Sequence, residues 1–214
     1  RDSLGGTVTV ITMGPPQAEA VLTEAISMGA DEGILLTDRA FAGSDTRATS
    51  QAIAEAVRKV GAVDVVFCGK QAIDGDTAQT GPGVAASLDW PQVTFVGRVR
   101  EMTEEHVICE RYVENGVQVL DTRLPAVLTI LKDANTPRVP SLRGKMKART
   151  FKPVLWSAAD LGLSPEETGL SGSPTRVVTT ATPEARHGGE IHRGTPEELA
   201  VIMADLLLGK EARS

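Results

Sequence analysis

The stretch from Gly69 to Thr80, GKQAIDGDTAQT, gathers small and polar residues between an apolar run and a run of helical period. Glycine strips bulk from such a junction, so backbone N–H groups can approach a ligand closely. The first turn of a following helix adds unpaired N–H donors and a partial positive charge. Thr77, Ala78, Gln79 and Thr80 fall where that first turn is expected, offering two hydroxyls and an amide. This suits a phosphate or pyrophosphate. Lys70 follows the first glycine, outside the G-x-x-x-x-G-K-[ST] frame, and G-x-G-x-x-G is absent too. Two carboxylates beside a phosphate would repel it, so Asp74 and Asp76 need other work. Asp76 is placed to cap the helix, while Asp74 either steadies the loop or accepts from a ribose hydroxyl. The plain alternative is a tight turn and cap with no ligand.

Other chemistries find less support. Asp74 and Asp76 lack the further oxygen ligands and the closing Glu of a calcium loop. His106, His187 and His192 have no Ser or Cys elbow beside them, and G-x-S-x-G does not occur. His106 reads as a solvated strand residue; His187 could touch an anion or simply lie at the surface. Cys68, at a strand end beside the glycine loop, reads as a small buried hydrophobe. Between Arg138 and Lys152, RVPSLRGKMKARTFK contains basic residues and no acidic one. It is either a solvated basic loop or a docking element, with Leu142 as an apolar anchor, Met146 at helical spacing, and Arg143, Lys145 and Lys147 steering an acidic partner.

These segments need elements to position them. Thr7–Met13 is β-rich and apolar, as expected of a strand covered on both faces. Val21, Leu22, Ala25 and Met28 then share a helical face that stops at Gly29. EGILLT is a second strand. A second helix follows, with Asp45 as cap, Gly61 as stop, and a stripe of Ala48, Ala52, Ile53, Ala56, Val57 and Val60. Asp64–Cys68 is a third strand and Thr77–Leu88 a third helix. This alternation predicts an α/β fold, a mostly parallel sheet with helices on its faces.

After Trp90, four strand-like runs with Asn115-Gly116 at a hairpin predict an appended antiparallel section. From Asp133 to about Gly194, Pro and Gly are frequent and periodicity is weak, as in an extended C-terminal arm lying over something else. Thr195, Pro196 and Glu198 then form a capping box for a helix with an apolar stripe of Leu199, Ile202, Met203, Leu206 and Leu207. That stripe docks on its own sheet or on a partner chain. The organisation expected is residues 1–132 as a nucleotide-binding α/β domain, 133–152 as a partner-recognition loop and 153–214 as arm and helix.

Bulk properties set the frame. Of 214 residues, 41% are hydrophobic and 23% charged, which argues against disorder, and a net charge of −6 argues against nucleic-acid binding. No apolar run approaches the roughly 18–20 residues that span a bilayer, so no membrane insertion is expected. Two cysteines and no signal-like start point to a reducing, cytoplasmic setting.

GKQAIDGDTAQTGPGVAASLDWPQVTF, with RLPAVLTILKDANTPRVPSLRGKMKA downstream, resembles the β subunit of electron transfer flavoprotein, in order from about Val8 to Lys152. The resemblance implies a Rossmann-like subunit that pairs with an α subunit to hold FAD. It implies that Gly69, Lys70, Gln71, Ala72, Ile73, Asp74, Gly75, Asp76, Thr77, Ala78, Gln79 and Thr80 form a nucleotide-phosphate loop, with Met13 lining the same nucleotide. It also implies that LRGKMKA docks on acyl-CoA or other flavin dehydrogenases, with Leu142 at the anchor position. DRAFAGSDTRATS, Asp38 to Ser50, resembles the bifurcating-type and nitrogen-fixation branches, in which Asp45, Thr46 and Thr49 would approach a β-subunit flavin. FAD is therefore expected there, with AMP as the alternative. With FAD, NADH is a possible electron donor whose electrons then split between two acceptors. A nucleotide-sensing AMP or ATP module without redox activity, and a pure scaffold, are the other functions this pattern permits. The family pattern also has a strand, a hairpin and a helix ahead of the segment matching TVTVITMG. That segment is expected to precede Arg1 rather than to be missing from a natural short form or a divergent site; without that strand its neighbour would have an open edge and binding should weaken.

Overall fold

The computed structural model describes residues 4–73, 75–182 and 188–209. It divides into two units, Arg1–Arg176 and Val177–Ser214. The first opens with β1 (Thr9–Met13), α1 (Glu19–Met28), β2 (Glu32–Leu36), α2 (Thr46–Val60), β3 (Val65–Gly69) and α3 (Thr80–Leu88). β4 (Gln92–Met102), β5 (His106–Val113), β6 (Gly116–Arg123), β7 (Ala126–Ile130), α4 (Leu142–Thr150) and β8 (Val154–Trp156) follow. The second unit contains α5 (Pro196–Leu207). The fold is mixed α/β, as the alternation of periods predicts.

Helix ends follow local chemistry. Gly29 ends α1 in the left-handed region at φ 119, where its missing Cβ removes the clash. Of the face expected for α1, Leu22 is buried but Val21 is exposed, and Ile26 takes its place. In α2 the residues Ala48, Ala52, Ala56 and Val57 of the expected stripe are buried, with Ile53 and Val60 half-buried.

The strands form two sheets rather than one. β1, β2 and β8 are parallel, in the order β1-β2-β8. The other sheet has the order β3-β7-β4-β5-β6, its first three strands parallel and the remainder antiparallel. β3 thus pairs with β7 over its full length and with neither β1 nor β2, contrary to a single sheet running through the first three strands. β7 is almost wholly buried between β3 and β4 in the second sheet, which is why AVLTI contains no charged residue. β1 and β3 are edges, and both are largely half-exposed although their residues are mostly apolar. The double coverage expected of β1 is therefore not what the fold shows. α2 bridges the sheets: Ile53, with Ile11 of β1, packs against both the cluster around Leu36 and Leu161 and the cluster around Val84 and Val127.

The antiparallel section forms from three of the four expected runs, β4, β5 and β6; the fourth, β7, pairs in parallel with both β3 and β4 instead. Its tight turn consists of Glu114 and Asn115, with Gly116 already paired to Val113 at φ 141, one residue earlier than the Asn-Gly pair suggests. At the far end of the same hairpin, His106 Nδ1 lies 2.7 Å from Asp121 Oδ1, and that carboxylate raises the imidazole's pKa. The region after Asp133 is more ordered than its composition implies. It supplies α4, and β8 joins β2 in the first sheet. The capping box on α5 forms as read, Thr195 Oγ1 accepting from the Glu198 amide and Glu198 from the Thr195 amide. None of its described side chains is buried. Among the described residues no helix is long and apolar enough to cross a membrane.

Candidate functional site

Three junctions follow the carboxyl ends of β1, β2 and β3, the side of a parallel sheet where ligands bind. Met13 closes β1, half-buried against Leu36, and the Gly14 amide donates to the Leu36 carbonyl at 3.0 Å. Asp45 caps α2: one carboxylate oxygen accepts from the amides of Arg47 and Ala48 at 3.0 and 3.1 Å. The other accepts from the amide and hydroxyl of Thr175 at 3.0 and 2.8 Å. Four bonds fill the accepting capacity of a carboxylate, so Asp45 holds the turn in shape. Burial pushes its pKa up, but these bonds outweigh burial and the net shift is downward. Ser173 accepts from the Asp45 amide at 2.8 Å, so residues 169–175 strap the start of α2.

α3 begins at Thr80, three residues later than the sequence suggests. Asp76 and Ala78 lie in the left-handed region, at φ 45 and 54, and break the helical path. Asp76 is therefore not the helix cap, which is Gln79. Its carboxylate instead accepts from the Gln71 side chain, tying the loop across its base. Thr77, Ala78 and Gln79 stay in the loop, where Thr77 Oγ1 accepts from the Gln79 amide at 3.4 Å. Asp74 lies outside the described residues, as does His187. Among the described residues, nothing accepts from the amides of Thr80 and Gly81, the first two donors of the helix. Pro82 follows and has no N–H.

The loops meet. Thr46 Oγ1 lies 3.3 Å from Thr77 Oγ1, and Ser50 Oγ donates to the carbonyls of Thr46 at 2.7 Å and Thr80 at 3.1 Å. Gly83 permits this approach, because a Cβ there would fall 2.4 Å from Ser50 Oγ. Thr49, half-buried one turn into α2, donates its amide to the Asp45 carbonyl. Lys70 stands at the base of the loop, its amide on the Ile130 carbonyl and its ammonium 5.5 Å from the Phe95 ring centroid. Cys68 is half-buried beneath Gly81, and burial pushes its thiol pKa up, which makes it a packing residue. Amides without an acceptor, several hydroxyls and one ammonium on these loops are groups of the kind that suit an anion; among the described residues acid–base catalysis has no comparable set. No metal cluster occurs among the described residues.

Ser50, Gly83, Ser173, Thr175 and Phe95 are the parts that sequence reading missed. All act across long separations in the chain and leave no local pattern.

A second surface lies on α4. Ser141 caps it, accepting from the Gly144 amide at 3.0 Å. Gly144 is pressed against α1, a Cβ there lying 2.1 Å from the Ser27 carbonyl oxygen. Leu142 and Met146 are one turn apart and 78% and 62% exposed, with Arg143 and Lys145 exposed beside them. Lys147 differs: its ammonium donates to the carbonyls of Ala30 and Asp31 at 3.0 and 3.1 Å, pinning α4 to the end of α1.

Comparison with known proteins agrees with the resemblance. Residues 1–161 match the electron transfer flavoprotein domain. The electron transfer flavoprotein subunit beta of Thermoanaerobacterium thermosaccharolyticum is 51% identical over 208 residues, 97% of this chain and 79% of that protein. The caffeyl-CoA reductase-Etf complex subunit CarD of Acetobacterium woodii is 47% identical over 91% of this chain and 74% of its own length. Protein FixA of Bradyrhizobium diazoefficiens is 48% identical over 87% and 67%. The chain belongs to the electron transfer flavoprotein family, on the side of its β subunits.

Proposed function

We propose that the chain pairs with an electron transfer flavoprotein α subunit and holds a nucleotide, FAD rather than AMP, between the α2 turn and the Gly69–Thr80 loop. The observation that carries this reading is the meeting of Thr46 and Thr77 beside the unaccepted amides of Thr80 and Gly81. A diphosphate there would receive amide and hydroxyl donors from two loops, with Lys70 behind them. Met13 and Thr49 would border the same crevice, with Asp45 shaping it from beneath.

When bound, the flavin supplies hydride acceptance and single-electron transfer, including NADH oxidation and division of electrons between two acceptors; the protein supplies position and electrostatics. The similarity to CarD and FixA, together with Asp38–Ser50, favours FAD over AMP. α4 would dock on an acyl-CoA or other flavin dehydrogenase, Leu142 entering an apolar pocket while Arg143 and Lys145 meet carboxylates.

Chromatography of the cofactor released by heating the native αβ pair tests the reading. FAD in excess of one per pair supports it. One FAD with AMP moves the site to the alternative nucleotide. A colourless complex releasing only AMP or ATP means a sensing module, and release of no nucleotide means a scaffold.

A further inference from the structure

The loop's cation lies over a strained aromatic residue that neither the motif nor the family match singles out. Phe95 lies in β4 with φ 58, a backbone region that bulky side chains rarely occupy. There, β4 advances three residues, Val93 to Val96, while β7 advances two, Leu128 to Ile130, which defines a bulge. The displaced Phe95 amide donates to Thr129 Oγ1 at 3.0 Å. Thr129 is 3% exposed, and its methyl sits beneath Gly81, where a Cβ would fall 2.5 Å away. One buried threonine thus anchors the bulge through its hydroxyl and seats the first turn of α3 through its methyl. The bulge turns the Phe95 ring under the Lys70 ammonium. Among the described residues Lys70 forms no ion pair, so the ring is its one side-chain partner. An aromatic face steadies an ammonium while leaving its N–H donors free for an anion, which a carboxylate partner would not do.

We infer that Phe95 is a positioning residue: held in its bulge by Thr129, it aims the Lys70 ammonium at the phosphate of the nucleotide in the adjacent loop. This rests on the nucleotide reading above. Strain persists only where surrounding structure over-determines it, and such positions cluster at binding sites.

The test is a binding cycle on the apo αβ complex with AMP as probe, each variant's fold checked by thermal melting. Lys70→Ala is expected to weaken AMP about tenfold, the loss of one charge-assisted contact. Phe95→Leu is expected to cost about two- to fivefold, Phe95→Tyr to restore wild-type affinity, and Thr129→Val to follow Phe95→Leu. Added to Lys70→Ala, Phe95→Leu is expected to cost nothing more. An undiminished loss from Phe95→Leu in the Lys70→Ala background, or a neutral Phe95→Leu where Lys70→Ala is weak, overturns the inference and leaves the nucleotide site standing. A wild-type complex that takes up neither AMP nor FAD overturns the site and this inference together.

Discussion

At the residue scale, acidic side chains near the proposed anion site serve the loops rather than the ligand. Asp45 places four hydrogen bonds on the α2 turn, and Asp76 closes its own loop against Gln71. Asp45→Ala removes a helix cap and the hold on Thr175, so it should cost about 1–2 kcal/mol in urea unfolding at neutral pH. Because folding lowers the Asp45 pKa, this stability is present above the ordinary carboxylate pKa. It disappears as the pH falls through the lowered folded-state value, so the wild-type advantage should shrink in acid. A gap independent of pH would mean that the charge plays no part. Thr80→Glu would bring a carboxylate to the unaccepted amides, so the purified pair should lose β-site nucleotide. Retention at wild-type occupancy, read by the same heat-release chromatography, counts against the site. The carboxylates themselves were legible in the sequence. Which of them caps a helix was not, because that depends on where α3 starts. One signal was available: Pro82 is tolerated only in a first turn, so a helix beginning at Thr77 would have placed it too deep.

At the scale of elements, two close approaches set the site and the docking surface. Gly83 lets α2 and α3 cross with Ser50 between them. Gly83→Ala should destabilise the chain by about 1–3 kcal/mol through overpacking and lower nucleotide occupancy. Adding Ser50→Ala should recover part of the loss, since the nearest atom is then gone. Gly144 and Lys147 fasten α4 to α1, which leaves Leu142 and Met146 outward on a supported helix. Leu142→Glu should slow electron transfer to a dehydrogenase while the bound cofactor stays; unchanged transfer at low dehydrogenase concentration would remove Leu142 from the interface. Apolar spacing showed most helices and all four strands after Trp90, though not that the last of them, β7, runs parallel to its neighbours. It could not show that α4 lies between α1 and solvent, because a basic sequence reads alike on a loop and on a helix.

At the scale of the molecule, two of the parallel edge strands, β1 and β3, are half-exposed and lie in separate sheets spanned by α2. Parallel strands are normally covered and paired on both sides. Amide exchange in the isolated chain should therefore be faster along β1 and β3 than along β2 and β7, and equal protection would show that the edges are closed in solution. By itself, the sequence determined the α/β alternation, the hairpins, the caps at Asp45 and Thr195, and the composition of the phosphate-type loop. Periodicity, capping and glycine content are local properties, written within a few residues of where they act. The tertiary structure decided the division into two sheets, the Thr46–Thr77 meeting, the strap through Ser173 and Thr175, and the bulge that puts Phe95 under Lys70. Each joins residues tens of positions apart, and strand order and helix crossing are settled by how whole faces pack, a quantity that no short window of sequence contains.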